Sequence, residues 1–172
     1  MINRWIWRFY MLPMETIRKY EFDQLNKSLK VVDYLISTAA PTDLTTYRDG
    51  GTGWTVLEVL CHLRDFEAVF FERARLTIEQ EYPDLPFPDP PQLAIERRYN
   101  EQDVRTVFDE WAATRANHLD YLAGLAEEDW ERAGNHPTRG RFTLHDGLLL
   151  AAWHDMNHTE QMVKILTGKQ TG

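Results

Sequence analysis

The chain has 172 residues, one cysteine and a formal net charge of −8. That length suits one domain with a single sizeable core, and the acidic balance argues against a nucleic-acid partner, whose phosphates need a basic face. Cys61 stands alone, so no internal disulfide framework exists and a reducing cytoplasm is the expected setting.

Residues 1–13 are set apart as an aromatic N-terminal arm carrying Trp5, Trp7, Phe9 and Tyr10 with Arg4 and Arg8. The arm is too short and too interrupted to span a bilayer, and no small-residue cleavage site follows it. Three readings stay open: an arm packing on the body or a partner, an extension upstream of a start at Met14, or a contact with a membrane surface. No stable membrane association is expected.

From 14 to 168 the pattern is that of an all-α four-helix bundle, with 169–172 as a tail. From about Met14 to Ala39, Ile17, Leu25, Leu29, Val32 and Ile36 recur at three- and four-residue steps and give one apolar stripe. A connector from Ala40 to Gly53 follows. Thr55-Val-Leu-Glu58 is a capping-box pattern that opens a second helix running to about Glu79. Five prolines between Pro83 and Pro91 exclude helix interior and predict a long crossover between the second and third helices. Val104, Phe108, Trp111, His118, Leu122 and Leu125 mark the third helix over roughly Glu101–Ala126. A loop from Glu127 to Arg141 precedes a second cap-like pattern, Thr143-Leu-His-Asp146. The fourth helix runs from there to Leu166, with Gly168 as its stop.

The chemistry is concentrated in three histidines. His154 and His158 are four apart on the fourth helix, so their imidazoles share nearly one azimuth. With Leu144, Ala151, Met162 and Ile165 they occupy a sector of roughly 80°, the apolar stripe that faces the bundle interior. His62 shares its sector with Val59, Phe66 and Val69 and also faces the core. Buried imidazoles without partners are costly, and a shared divalent ion would satisfy one nitrogen of each. Three imidazole ligands leave a coordination position open for water or substrate, as in catalytic rather than structural sites.

Around this trio, Glu58 lies one turn before His62 and is a candidate base or orienting acceptor, although its capping-box role already accounts for it. Asp155 is a candidate to orient an imidazole or a water. Cys61 is read as a small buried hydrophobe and His118 as a satisfied core histidine. The run His154-Asp-Met-Asn-His158 differs from the zinc-protease signature, which has glutamate in second position. Arg139 and Arg141 in the loop before the fourth helix are candidates for holding an anionic cofactor.

Two segments taken together carry a family resemblance. Trp54-Thr-Val-Leu-Glu-Val-Leu-Cys-His-Leu-Arg-Asp-Phe-Glu67, followed by Trp153-His-Asp-Met-Asn-His-Thr-Glu-Gln161, resembles the DinB/YfiT-like superfamily, and the segment Asp129–Thr143 looks like that family's stretch before its last helix. The resemblance spans Met14 to Leu166. It implies a four-helix bundle whose metal histidines match His62, His154 and His158, with zinc or nickel at the site. It also implies a homodimer and a metal-dependent enzyme acting on a small-molecule substrate. That enzyme would be a hydrolase, or a thiol S-transferase using a low-molecular-weight thiol of the bacillithiol or mycothiol type. A non-catalytic bundle that binds a metal or small ligand, of a stress- or damage-inducible type, is the alternative. The aromatic arm and the proline-dense crossover depart from the simplest family pattern.

Overall fold

The computed structural model describes residues 12–168, so the arm, apart from Leu12 and Pro13, and the tail at 169–172 lie outside the described residues. Among the described residues there are six α-helices: α1 (Met14–Thr38), α2 (Pro41–Thr46), α3 (Val56–Glu79), α4 (Pro90–Glu96), α5 (Val104–Ala123) and α6 (Leu144–Gly168). The long ones, α1, α3, α5 and α6, form the bundle, and α2 and α4 lie in the connections.

The capping box is built as its residue types dictate. Thr55 Oγ1 accepts from Glu58 N at 3.2 Å, and Glu58 Oε2 accepts from Thr55 N at 2.8 Å. Thr143 and Asp146 repeat the exchange at the start of α6, with bonds of 3.0 and 2.9 Å. In the crossover, Asp89 caps α4, whose prolines occupy the first turn, where a missing N–H costs nothing. The third bundle helix is shorter than its apolar pattern suggests. Asp103 accepts from Thr106 N at 2.8 Å and fixes the start, and Gly124 closes the end.

The expected loop before α6 is a two-stranded antiparallel hairpin, β1 (Ala133–His136) and β2 (Gly140–Thr143). Gly140 takes a φ of +70°, a conformation open to glycine without strain. The crossover is pinned to this hairpin, because Leu85 N donates to Asn135 O at 2.9 Å and Asn135 N donates to Pro83 O at 2.8 Å. Arg132 donates to the carbonyls of Thr77, Ile78 and Gln80, the unsatisfied acceptors at the end of α3.

Helix directions follow from cross-contacts. Glu21 lies beside His145 and Ser28 bonds to Asp155, so α1 and α6 run parallel. Along α3, Leu57 and Leu60 share one apolar cluster with Ile36, Met162 and Ile165, and Phe70 and Ala74 share the other with Leu25 and Leu148. Helix α3 therefore opposes α1 and α6. Helix α5 passes from Val107 and Trp111 in the first cluster to Leu119 and Leu122 in the second, parallel to α3. The order is up, down, down, up, and the parallel pair in the middle is what requires the long crossover.

A polar layer separates the two clusters. Ser28, Glu67, Arg115 and Asp155 come from α1, α3, α5 and α6 respectively, and each is at least nine-tenths buried. Arg115 donates to Glu67 Oε2 at 2.5 Å, Asp155 Oδ2 at 2.9 Å and Leu25 O at 2.9 Å. His118 Nδ1 meets Glu67 Oε1 at 2.7 Å, so this histidine has its partner, as read from the sequence. Burial alone would raise the Glu67 pKa, but Arg115 and His118 together outweigh it and hold the carboxyl down to about 2.

Candidate metal centre

His62 projects from the second turn of α3, and His154 and His158 project from one face of α6. Because these helices are antiparallel neighbours, the three rings meet. Centroids lie 4.9 Å apart for His62 and His154, 4.6 Å for His62 and His158, and 4.5 Å for the α6 pair. One nitrogen from each falls within 4.8 Å of the others, the only such three-residue group of metal-ligating side chains among the described residues.

The closest approach is between two like atoms, His62 Nε2 and His154 Nε2, at 2.9 Å. Two imidazole lone pairs repel unless a proton or a cation lies between them, so the donor set fits a divalent ion. The Nδ1 atoms of His62 and His154 are buried without a hydrogen-bond partner. All three rings are held neutral. Burial, reinforced by the neighbouring His158, lowers the His62 pKa to about 3. His154 is lowered well below its ordinary value by burial and then by the neighbouring His158 and His62, and His158 is lowered by burial against an opposing bond to Gln161. Neutral imidazole is the form that ligates metal.

His158 differs from the others in its support. Its Nδ1 faces Gln161 Oε1 at 2.8 Å, and Gln161 Nε2 donates to Asp49 Oδ2 at 2.8 Å. An amide oxygen accepts, so Nδ1 carries the proton and the Nε2 lone pair is free to face the other histidines. Gln161 is one turn beyond His158 on α6, and Asp49 comes from the connector before α3. Neither residue has a role legible in the sequence. Spacing of three from a candidate ligand is a weak signal for Gln161, and nothing local marks Asp49. Apolar rings wall the cluster, with Trp54 5.0 Å and Phe66 4.4 Å from His62, and Phe70 5.4 Å from His154.

The remaining candidates are placed elsewhere. Asp155 turns away from its neighbour His154 into the polar layer, where Ser28 and Arg115 engage its Oδ2. Glu58 Oε2 is held by Thr55 N and by Arg48 Nη1 at 3.0 Å. Cys61 is fully buried, bonded to Tyr99 O at 3.6 Å, and burial pushes its thiol up to about 12. Arg139 and Arg141 line a groove of about 480 Å³ with Phe142, Asp146, Leu149, Leu150 and Trp153, beside α6.

A model of the DinB superfamily matches residues 24–162. A Bacillus cereus protein named as a candidate metal-dependent hydrolase is 30% identical over 166 residues, covering 96% of this chain and 85% of its own length. An Oceanobacillus iheyensis protein with the same description is 28% identical over 125 residues, covering 73% and 71%. Among solved structures, YfiT from Bacillus subtilis superposes with a TM-score of 0.83 at 21% identity, covering 95% of this chain and 93% of that one. It is described as a candidate metal-dependent hydrolase with an unusual four-helix bundle topology. A conserved Enterococcus faecalis protein matches with a TM-score of 0.64 at 14% identity, covering 88% and 98%.

Proposed function

The chain belongs to the DinB superfamily, and on that premise we propose that it is a metal-dependent enzyme, a hydrolase in the first instance, whose ion is held by His62, His154 and His158. The observation that carries this reading is the convergence of three neutral imidazole nitrogens from two helices within 4.8 Å. Three nitrogen ligands suit zinc or nickel. A divalent ion so held supplies Lewis-acid activation of water or a carbonyl.

The chain's own residues do the rest. Asp49 and Gln161 hold the His158 tautomer. Burial keeps the trio unprotonated, and Trp54, Phe66 and Phe70 exclude bulk water from the cluster. Asp155 serves as a positioning residue that fixes the rotation of α6 through Arg115, and Glu58 fixes the start of α3. Cys61 is no nucleophile with its thiol raised to about 12.

Thiol S-transfer is the second reading. The groove with Arg139 and Arg141 supports it, because those cations suit an anionic thiol cosubstrate of the bacillithiol or mycothiol type. We place residues 14–168 as the bundle, take the protein as cytoplasmic from its lone buried cysteine, and take it as a homodimer. Light scattering at micromolar concentration tests the last, with a monomer mass counting against it.

The deciding experiment uses untagged protein, since nickel columns load such sites. Metal is quantified in the wild type, His62→Ala, His158→Ala and Cys61→Ala, and each is assayed on ester and amide substrates with and without thiols. Bound metal and turnover lost in the histidine variants but not in Cys61→Ala are expected. Turnover intact in both His62→Ala and His158→Ala would sink the mechanism, and metal-free wild-type protein would favour a bundle with no metal.

A further inference from the structure

We propose that Arg73, His136 and Arg139 form a carboxylate-binding site beside the three histidines, so that the substrate is a small organic acid. The site stands on its own geometry. That its ligand is the substrate rests on the function proposed above.

Arg73 lies on α3, eleven residues after His62, and is only 4% exposed. Its Nε donates to Pro86 O at 2.9 Å. Its Nη2 is buried and meets no acceptor, and among the described residues no carboxylate pairs with this guanidinium. Arg115, the other deeply buried arginine of α3 and α5, is flanked by two carboxylates. A buried charge without a counter-charge is among the costliest arrangements a core can hold.

His136, in β1, is 2% exposed. Its Nδ1 accepts from Thr138 N at 3.3 Å and faces the Thr138 hydroxyl at 3.2 Å. An accepting Nδ1 puts the ring proton on Nε2, and that buried donor also meets no acceptor. The two orphan donors share a wall. Phe87 has its ring 5.8 Å from Arg73 Cζ and 5.3 Å from the His136 ring. Arg139 follows three residues later in the hairpin turn and is exposed, as is Phe87, so the cluster reaches the surface there. Burial and then the charge of Arg139 depress Arg73 to about 10, and burial, Arg73 and Arg139 depress His136. Burial is the larger cause in both, and neighbouring positive charge adds to it.

The link to the histidines is a single ring. The Phe70 ring lies 5.6 Å from Arg73 Cζ and 5.4 Å from the His154 ring. A carboxylate offers two coplanar acceptors and one negative charge, matching one guanidinium nitrogen and one imidazole N–H. A phosphate would leave further oxygens and charge uncovered by these two buried donors.

The test uses the full chain, treated with chelator and labelled with ¹⁵N, titrated with acetate, succinate and inorganic phosphate. The Arg73 Nε–H and His136 Nε2 resonances should shift saturably with acetate and succinate. Affinity should fall at least about tenfold in Arg73→Gln and in Arg139→Gln, each of which removes a charge-assisted donor. Arg139 is exposed, so its variant keeps the test intact if Arg73→Gln fails to fold. No saturable shift, equal affinity in Arg139→Gln, or tighter binding of phosphate than of acetate would overturn the proposal. A parallel zinc titration separates the two readings. Acetate shifts retained in His158→Ala alongside lost zinc uptake support both, whereas zinc uptake unchanged in His158→Ala overturns the metal site alone.

Discussion

Replacing Arg115 with methionine is the sharpest probe of the polar layer. The substitution keeps an unbranched apolar stem but removes three hydrogen bonds, to Glu67, Asp155 and Leu25 O. Two buried carboxylates are then left close together, with His118 beside Glu67 and the Ser28 hydroxyl beside Asp155. Removing one partner of a buried ion pair costs about 3–5 kcal/mol. For a chain of this size each kcal/mol moves Tm by about 2–4 °C, so Tm should fall by about 6–20 °C, with a matching drop in the urea midpoint followed by tryptophan fluorescence. Zinc affinity should fall in parallel, because Asp155 anchors the helix turn that carries His154. The triple variant Arg115→Met, Glu67→Leu, Asp155→Leu should recover most of the lost stability, since no charge is left stranded. A loss below about 1 kcal/mol in the single variant would refute the reasoning, as would a triple variant less stable than the single.

Other expectations follow from the same coordinates. The unfolded imidazole titrates near 6.5 while His62 in the fold titrates at about 3, so below about pH 6.5 the unfolded chain takes up protons that the metal-free fold refuses. Stability is therefore full above about pH 6.5 and declines as pH falls toward 3. Urea midpoints of chelator-treated protein at about pH 7.5 and 5.5 should differ, and should differ less in His62→Gln. Gln161→Leu should weaken metal binding by about 10–100-fold while leaving Tm of the metal-free protein nearly unchanged, read by competition with a chromophoric chelator. In Gly134→Ala the new methyl would sit 2.7 Å from Leu85 Cδ2 and 2.8 Å from Pro83 O. That substitution should cost about 1–3 kcal/mol in urea unfolding, and an unchanged midpoint would show that the crossover yields freely.

The long helices were legible from a 3.6-residue apolar period, joined in α3 and α6 by a start signal, as Thr55 and Glu58 illustrate for α3. The convergence of the histidines was legible for the same reason, since His154 and His158 lie on the stripe of α6 and His62 on that of α3. The hairpin was not. Its four-residue strands, Ala133–His136 and Gly140–Thr143, are too short for alternation to register, and β1 is held by the distant crossover as well as by β2. Asp155 illustrates a different gap. Its azimuth lies about 60° from that of His158, close enough to suggest service at the site, but the attraction of Arg115, forty residues away in sequence, decides where the carboxylate points. Partners supplied by another helix leave no mark on local pattern, and the same holds for Asp49 at the far end of the Gln161 contact.

The up, down, down, up order also sets a timetable for the nascent chain. His62 and His154 are separated by 92 residues, and α6 emerges from the ribosome after the other three bundle helices. An ion cannot template the early stages of assembly through these histidines, because two of the three rings that would grip it have not yet been synthesised. The three-ring grip forms only when α6 reaches α3.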